Sequence, residues 1–112
     1  MRLKSEIWVS AFLRRWQAEG CYGAVIRKGA AEAGAVYVIV NHLDGTLHLF
    51  GPAPGPGLDE SGDRRWAEEI PYPANQQTID TLLARRTASD PDIWVIEIED
   101  RSGTAGLEAS RD

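Results

Sequence analysis

The stretch from Ala35 to Phe50, AVYVIVNHLDGTLHLF, limits what this chain can become more than any other. Two apolar, β-branched runs flank Asp44-Gly45, a dipeptide that accepts the positive φ values of a type I′ turn, so the stretch reads as a β-hairpin. With Asp44 and Gly45 as the two loop residues, His42 faces Leu47, Asn41 faces His48, Val40 faces Leu49 and Ile39 faces Phe50. Side chains alternate along a strand, so Val36, Val38, Val40, Leu47 and Leu49 are expected on one buried face, with His42 at its end. Tyr37, Ile39, Asn41, Leu43, Thr46, His48 and Phe50 then share the other face, which is half apolar and needs partial cover. This register separates the two histidines.

Trp8, Val9, Phe12, Leu13 and Trp16 recur at helical spacing between Ser5 and Gly20, with Ser5 placed to cap the start and Gly20 to take the left-handed position at the end. The helical period outweighs a short alternation of Leu3, Ser5, Ile7 and Val9. Residues 22–28 read as a strand that returns into the hairpin as a three-strand meander. Residues 51–63, GPAPGPGLDESGD, are too rich in proline and glycine for regular structure and read as a long loop, disordered or functional. Residues 64–70 fit a helical face and a strand face alike, and an edge strand is the preferred reading, one whose charged side chains would discourage pairing with other molecules. A second helix is predicted over 76–87, with Asn75 as cap and Ile79, Leu82 and Leu83 as its buried stripe. Ile93 to Glu99 forms the last strand, and residues 102–112 read as a frayed tail.

These elements predict one α+β domain over 1–101, with a mostly antiparallel sheet of four to five strands, two helices packed on one face, and the order αβββ(β)αβ. A chain of 112 residues supports a single core, and 43% hydrophobic with 26% charged residues is ordinary for a globular domain. The formal charge of −5 disfavours nucleic acid and anionic membranes as partners. A lone cysteine, Cys21, excludes an internal disulfide and suits the cytoplasm, and no run is long and apolar enough for a membrane span or shaped like a signal peptide.

No stretch carries a catalytic or ligand-binding signature, and no catalytic residue, metal ligand or cofactor is expected. Cys21 follows the C-terminal end of a helix, where the dipole opposes a thiolate. Glu97 and Glu99 project from one strand face but lack the further oxygen ligands a cation needs. The basic doublets Arg14-Arg15, Arg27-Lys28, Arg64-Arg65 and Arg85-Arg86 would serve nucleic acid only if folding gathered them on one side. The half-apolar sheet face around Tyr37, Asn41, His48 and Phe50, or an exposed strand edge, is therefore the candidate surface for a protein partner or a second copy. A ligand or enzyme pocket near the 51–63 loop is the alternative, and a nucleic-acid-associated role the third.

The segments RLKSEIWVSAFLRR at 2–15, GAVYVIVNHLDGTLHLFGPAP at 34–54, RRW at 64–66 and DPDIWVIEIEDR at 90–101 occur together and in order. In them the chain resembles domain of unknown function 1491, a family of small alphaproteobacterial proteins. The resemblance implies a stand-alone soluble bacterial protein and brings no activity, cofactor or binding residue with it.

Overall fold

The computed structural model describes residues 3–55 and 63–108. Its elements run α1 (Ser5–Ala18), β1 (Gly23–Arg27), β2 (Val36–Asn41), β3 (Leu47–Pro52), β4 (Trp66–Glu68), α2 (Gln76–Ser89) and β5 (Trp94–Glu99), an α+β chain in the predicted order. The five strands form one sheet in the order β1-β5-β2-β3-β4. Every neighbouring pair is antiparallel except β2 and β5, which run parallel.

The three-strand meander expected from residue 22 onward does not form, because β5 inserts between β1 and β2. The composition of β5 explains its place inside the sheet: Trp94, Ile96 and Ile98 are buried on one side and Ile93 and Val95 on the other, so this strand needs cover on both faces.

That requirement also corrects the expected placement of both helices on one face. Val9 and Phe12 of α1 pack with Val36, Val38, Val40, Trp94, Ile96 and Ile98, whereas Ile79 of α2, with Leu82 and Leu83, packs with Tyr37, Ile39, Leu47, Leu49, Ile93 and Val95. One helix covers each face. The second sheet face is thus interior rather than half exposed, since Tyr37, Ile39 and Leu49 would otherwise leave a large apolar area in water.

The helix ends show how locally the chain is specified. Gly20, at φ +87°, donates to the Gln17 carbonyl, and Cys21 donates to that of Trp16, closing α1 as expected of a left-handed glycine. Asn75 caps α2 by accepting from the Thr78 N–H at 2.8 Å. The start of α1 is different. Ser5 is already the first helical residue, and the orphan N–H groups of Ser5 and Glu6 donate to the backbone carbonyls of Glu32 and Ala31 at 3.1 and 2.9 Å. The Ser5 hydroxyl, fully buried, donates to the Gly34 carbonyl at 2.5 Å. The 29–34 segment thus caps the helix in place of a side chain.

Two further segments differ from expectation. The turn after β5 folds back: the Asp100 carboxylate accepts from the N–H groups of Ser102, Gly103 and Ala105, and Ala105 and Leu107 are buried in the α1-side core. The expected frayed tail therefore does not begin at 102, and residues 109–112 lie outside the described residues. Residues 56–62 of the proline- and glycine-rich stretch also lie outside them, while Gly51 and Pro52 close β3 and Trp66–Glu68 is the edge strand anticipated for 64–70.

Candidate functional site

The hairpin register decides where the histidines go. The observed pairs are Val38 with Phe50, Ile39 with Leu49, Val40 with His48 and Asn41 with Leu47, one residue away from the register that a two-residue loop would impose. The His42 N–H donates to the Thr46 carbonyl at 3.2 Å, so the loop has three residues, Leu43 to Gly45. Leu43 takes φ +61° and Gly45 φ +91°. Two side chains stabilise this longer turn: Asn41 Oδ1 accepts from the Leu43 N–H at 2.8 Å, and Asp44 Oδ1 accepts from the Thr46 N–H at 2.9 Å. A bond from the Thr46 hydroxyl and another from its N–H hold the Asp44 carboxyl below its ordinary range.

A one-residue slip exchanges the faces of β3. Leu47 and Leu49 move to the α2 side, and His48 and Phe50 join Val38 and Val40 on the α1 side. The proposed partner face of Tyr37, Asn41, His48 and Phe50 is accordingly dismantled. Tyr37 lies in the α2-side core at 8% exposure and Phe50 in the α1-side core at 3%. Asn41 sits on the α2 side, where its amide donates to Glu97 at 3.4 Å. His48 meets His42 instead.

The two imidazoles, expected on opposite faces, are hydrogen-bonded to each other: His42 Nε2 and His48 Nδ1 are 2.8 Å apart. His42 Nδ1 lies 2.7 Å from the Asp100 carbonyl, which can only accept, so that nitrogen carries a proton. In the neutral pair His42 Nε2 is then a lone pair, His48 Nδ1–H donates to it, and the bare nitrogen of His48 is Nε2. That atom lies 3.6 Å from Glu68 Oε1. The ring is clamped between Phe50 and Tyr72, with centroids 5.5 and 4.0 Å away and planes within 14° and 13°. Tyr72 is held by its neighbours, since the Ala74 N–H donates to the Leu47 carbonyl and the Tyr72 and Thr46 hydroxyls are 3.1 Å apart.

Burial pushes the His48 imidazole below its usual range, with His42 adding to this and Glu68 opposing it. At neutral pH its contact with Glu68 is therefore between two acceptors rather than an ion pair. The consequence for stability has a definite sign. The unfolded chain binds a proton at His48 near 6.5 while the folded chain resists it, so this contribution is complete above 6.5 and is lost as the pH falls from 6.5 toward the depressed folded value. Denaturant midpoints measured above and below 6.5 will fall on acidification. His48→Gln will flatten that slope relative to the parent.

A concavity of about 670 Å³ lies on the α1 side beside the 51–63 loop, with Trp8, Phe12, Trp16 and Trp66 as walls and Arg15 and Arg64 among its charged residues. The Arg64 guanidinium sits 5.4 Å over the Trp8 ring and that of Arg15 5.2 Å over Trp16. Neither histidine lines this cavity, so the pocket expected near the 51–63 loop and the histidine pair are separate places. Cys21 also stands apart, and burial, then Asp100 and Glu19, push its thiol up, away from nucleophilic use. Arg14-Arg15 belongs to α1 and Arg85-Arg86 to α2 on the opposite side, so the basic doublets do not merge into one patch. Among the described residues no helix is long and apolar enough to cross a membrane.

Sequence reasoning missed His42, Glu68 and Tyr72 as neighbours of His48. The available signal was Asn41 and Asp44, each spaced to bond a backbone N–H two residues on, a pattern that favours the longer turn and with it the other register.

No curated protein matches the chain. Among solved structures, a crystal structure of a DUF1491 family protein from Caulobacter crescentus is 39% identical, with a TM-score of 0.78 over 96% of this chain and 94% of that one. A solution structure of a protein from A. tumefaciens is 40% identical, with a TM-score of 0.81 over 99% and 98%. The sequence profile described as "Protein of unknown function (DUF1491)" matches residues 3–108, and the chain belongs to that family.

Proposed function

We propose that this protein is a non-enzymatic, self-associating module that pairs with a second copy through the open edge of β1. The observation that carries the reading is the make-up of that edge. Tyr22, Val25 and Ile26 are 66%, 43% and 60% exposed, a dense apolar run on a strand whose outer side has no neighbour in the sheet.

The backbone is arranged for it. The Glu99 N–H donates to the Tyr22 carbonyl, so Tyr22 and Ala24 turn their backbone groups toward β5, while Gly23 and Val25 turn theirs outward. A twofold axis beside Ala24 sets Gly23 of one copy opposite Val25 of the other, in two symmetry-related pairs that each exchange both backbone hydrogen bonds. The bulge between Val25 and Arg27 ends the regular ladder and confines the pairing to this segment.

Charge favours the same antiparallel arrangement. It brings Arg27 and Lys28 of one copy to Gly20 and Cys21 of the other, where Glu19 and Asp100 lie close enough to act on the Cys21 thiol. We place the protein in the cytoplasm, on the strength of its single free cysteine.

Sedimentation velocity over a concentration series tests the reading. The expected result is a dimer that dissociates when Val25 and Ile26, both exposed, are changed together to lysine, with the far-ultraviolet dichroism unaltered. A parent chain that sediments with single-chain mass throughout, or a dimer that survives the double substitution, overturns it.

A further inference from the structure

We propose that His42 and His48 form a proton-operated clasp on the 69–74 segment, in which one added proton ties β4 to β3 and a second parts the two rings and frees Tyr72. The clasp stands at the β3–β4 margin and does not depend on self-association through β1.

The hydrogen bonds limit how many protons the pair can hold. The Asp100 carbonyl only accepts, so His42 Nδ1, 2.7 Å away, keeps its proton. His42 Nε2 and His48 Nδ1, 2.8 Å apart, share one proton between them. His48 Nε2 is then the one ring nitrogen left to take another. The closed pair therefore gains a single positive charge, whereas the same two side chains gain one each in the unfolded chain. A further proton would set two N–H groups against each other across 2.8 Å in place of a hydrogen bond.

The first added proton has a definite place. It charges His48 Nε2, 3.6 Å from Glu68 Oε1, and makes an ion pair between β3 and β4. The other acidic groups near the pair are engaged or turned away. Asp44 in the turn accepts from the Thr46 N–H and hydroxyl, and the Asp100 carboxylate accepts from the N–H groups of Ser102, Gly103 and Ala105. Glu97 and Glu99 project from the opposite face of β5, with Val95. The Tyr72 hydroxyl lies 3.1 Å from that of Thr46.

The second added proton goes to His42 Nε2, and the rings must then separate. His42 is 8% exposed, Tyr72 stacks on His48 at 4.0 Å, and His42 meets the Tyr72 ring edge-on at 5.8 Å. Tyr72 itself is 48% exposed, so it is the ring of the three with room to move outward. The Glu69 N–H donates to the Leu49 carbonyl and the Ala74 N–H to the Leu47 carbonyl, which ties the segment to β3 at its two ends and leaves Tyr72 to hold the middle. Losing the imidazole beneath Tyr72 loosens that middle, while β2 and β5, paired inside the sheet, stay closed.

NMR of the full chain tests the clasp, following the imidazole nitrogens, the Tyr72 ring and amide exchange from about pH 8 to about pH 4, around the usual imidazole value of about 6.5. In the first step His48 Nε2 alone should take up a proton, and Glu68→Gln should move that step to lower pH. In the second, His42 should charge together with loss of the ring-current shift that the stacked imidazole imposes on Tyr72, and the Ile70 and Tyr72 amides should exchange faster while those of β2 and β5 stay protected. His42→Gln keeps an amide able to serve both hydrogen bonds without titrating, so it should show one imidazole step and no release of Tyr72. Rings that charge independently with Tyr72 still stacked overturn the clasp, as does His42 charging before His48. So does release that persists in His42→Gln, or a pair that stays closed until β2 and β5 lose protection as well.

Discussion

Trp94→Ala will lower the stability of this domain by about 3–5 kcal/mol, the range for truncating a buried tryptophan, with the loss read as a fall in the denaturant midpoint at unchanged slope. Trp94 opens the interior strand β5 and is 3% exposed in the α1-side core. Its indole Nε1–H also donates to the Ala30 carbonyl at 2.8 Å. Removing the ring leaves a cavity and takes the stronger of two donors from the Ala30 carbonyl, which keeps only the Gly34 N–H at 3.3 Å, and these penalties add.

The damage will spread in a definite direction. Ala30 belongs to the segment whose next two carbonyls, those of Ala31 and Glu32, cap α1, and its own N–H donates to the Asp92 carbonyl. Loosening Ala30 therefore releases the first turn of α1, so amide exchange should quicken there before it quickens in α2. Trp94→Phe separates the two contributions. It keeps most of the apolar area and loses only the hydrogen bond, so its cost should be roughly 1–3 kcal/mol. Equal losses in the two variants, or α2 exchanging first, would show that Trp94 does not anchor this segment.

Gly34→Ala is the second large effect, and its cause is steric. A Cβ built on Gly34 lies 2.3 Å from the Asp92 carbonyl oxygen, and one built on Gly29 lies 2.2 Å from the same atom. The obstacle is backbone at the entry to β5, so no rotamer change relieves it. The segment would have to move, and it carries the Gly34 carbonyl that accepts from Ser5 together with the carbonyls that cap α1. Overpacking of this kind costs about 1–3 kcal/mol and more where neighbours cannot yield, so a loss of at least about 3 kcal/mol is expected.

Gly45→Ala is the control. A Cβ there meets nothing within 4 Å, and only the φ of +91° opposes it, so the cost should stay near the roughly 1–2 kcal/mol of a left-handed alanine. Comparable melting temperatures for the two variants would remove the steric argument.

Both large effects concern the 29–34 segment, which reads in the sequence only as a Gly/Ala-rich turn. Its importance is tertiary. Small residues leave room for three elements to meet, with the entry to β5 on one side, the start of α1 on another, and the Trp94 indole locking the join. Composition shows that bulk is absent from this stretch but cannot show what presses against it.

The family's shared fold places the two candidate surfaces at opposite margins of one sheet. At the β1 margin lie an apolar edge and complementary charges, which support pairing. At the β3–β4 margin lie a clamped imidazole and a carboxylate 3.6 Å apart. The strands between them are buried on both faces.

The sequence by itself determined the kinds of element and their order. Helical period, strand alternation, Gly20 and Asn75 are local properties, and each acts within a few residues of where it stands. It also gave the direction in which the Cys21 thiol is pushed, since a place after a helix C-terminus opposes the thiolate. The tertiary structure decided which strands are neighbours, which face each helix covers, and the register of the hairpin. Those depend on contacts between distant residues: β5 lies inside the sheet because both of its faces are apolar, and α1 and α2 divide the faces because neither can be left bare. The register turned on a single residue of loop length, set by Asn41 and Asp44. Because strand side chains alternate, that one residue moved Tyr37 and Phe50 into opposite cores and brought His48 against His42 and Glu68.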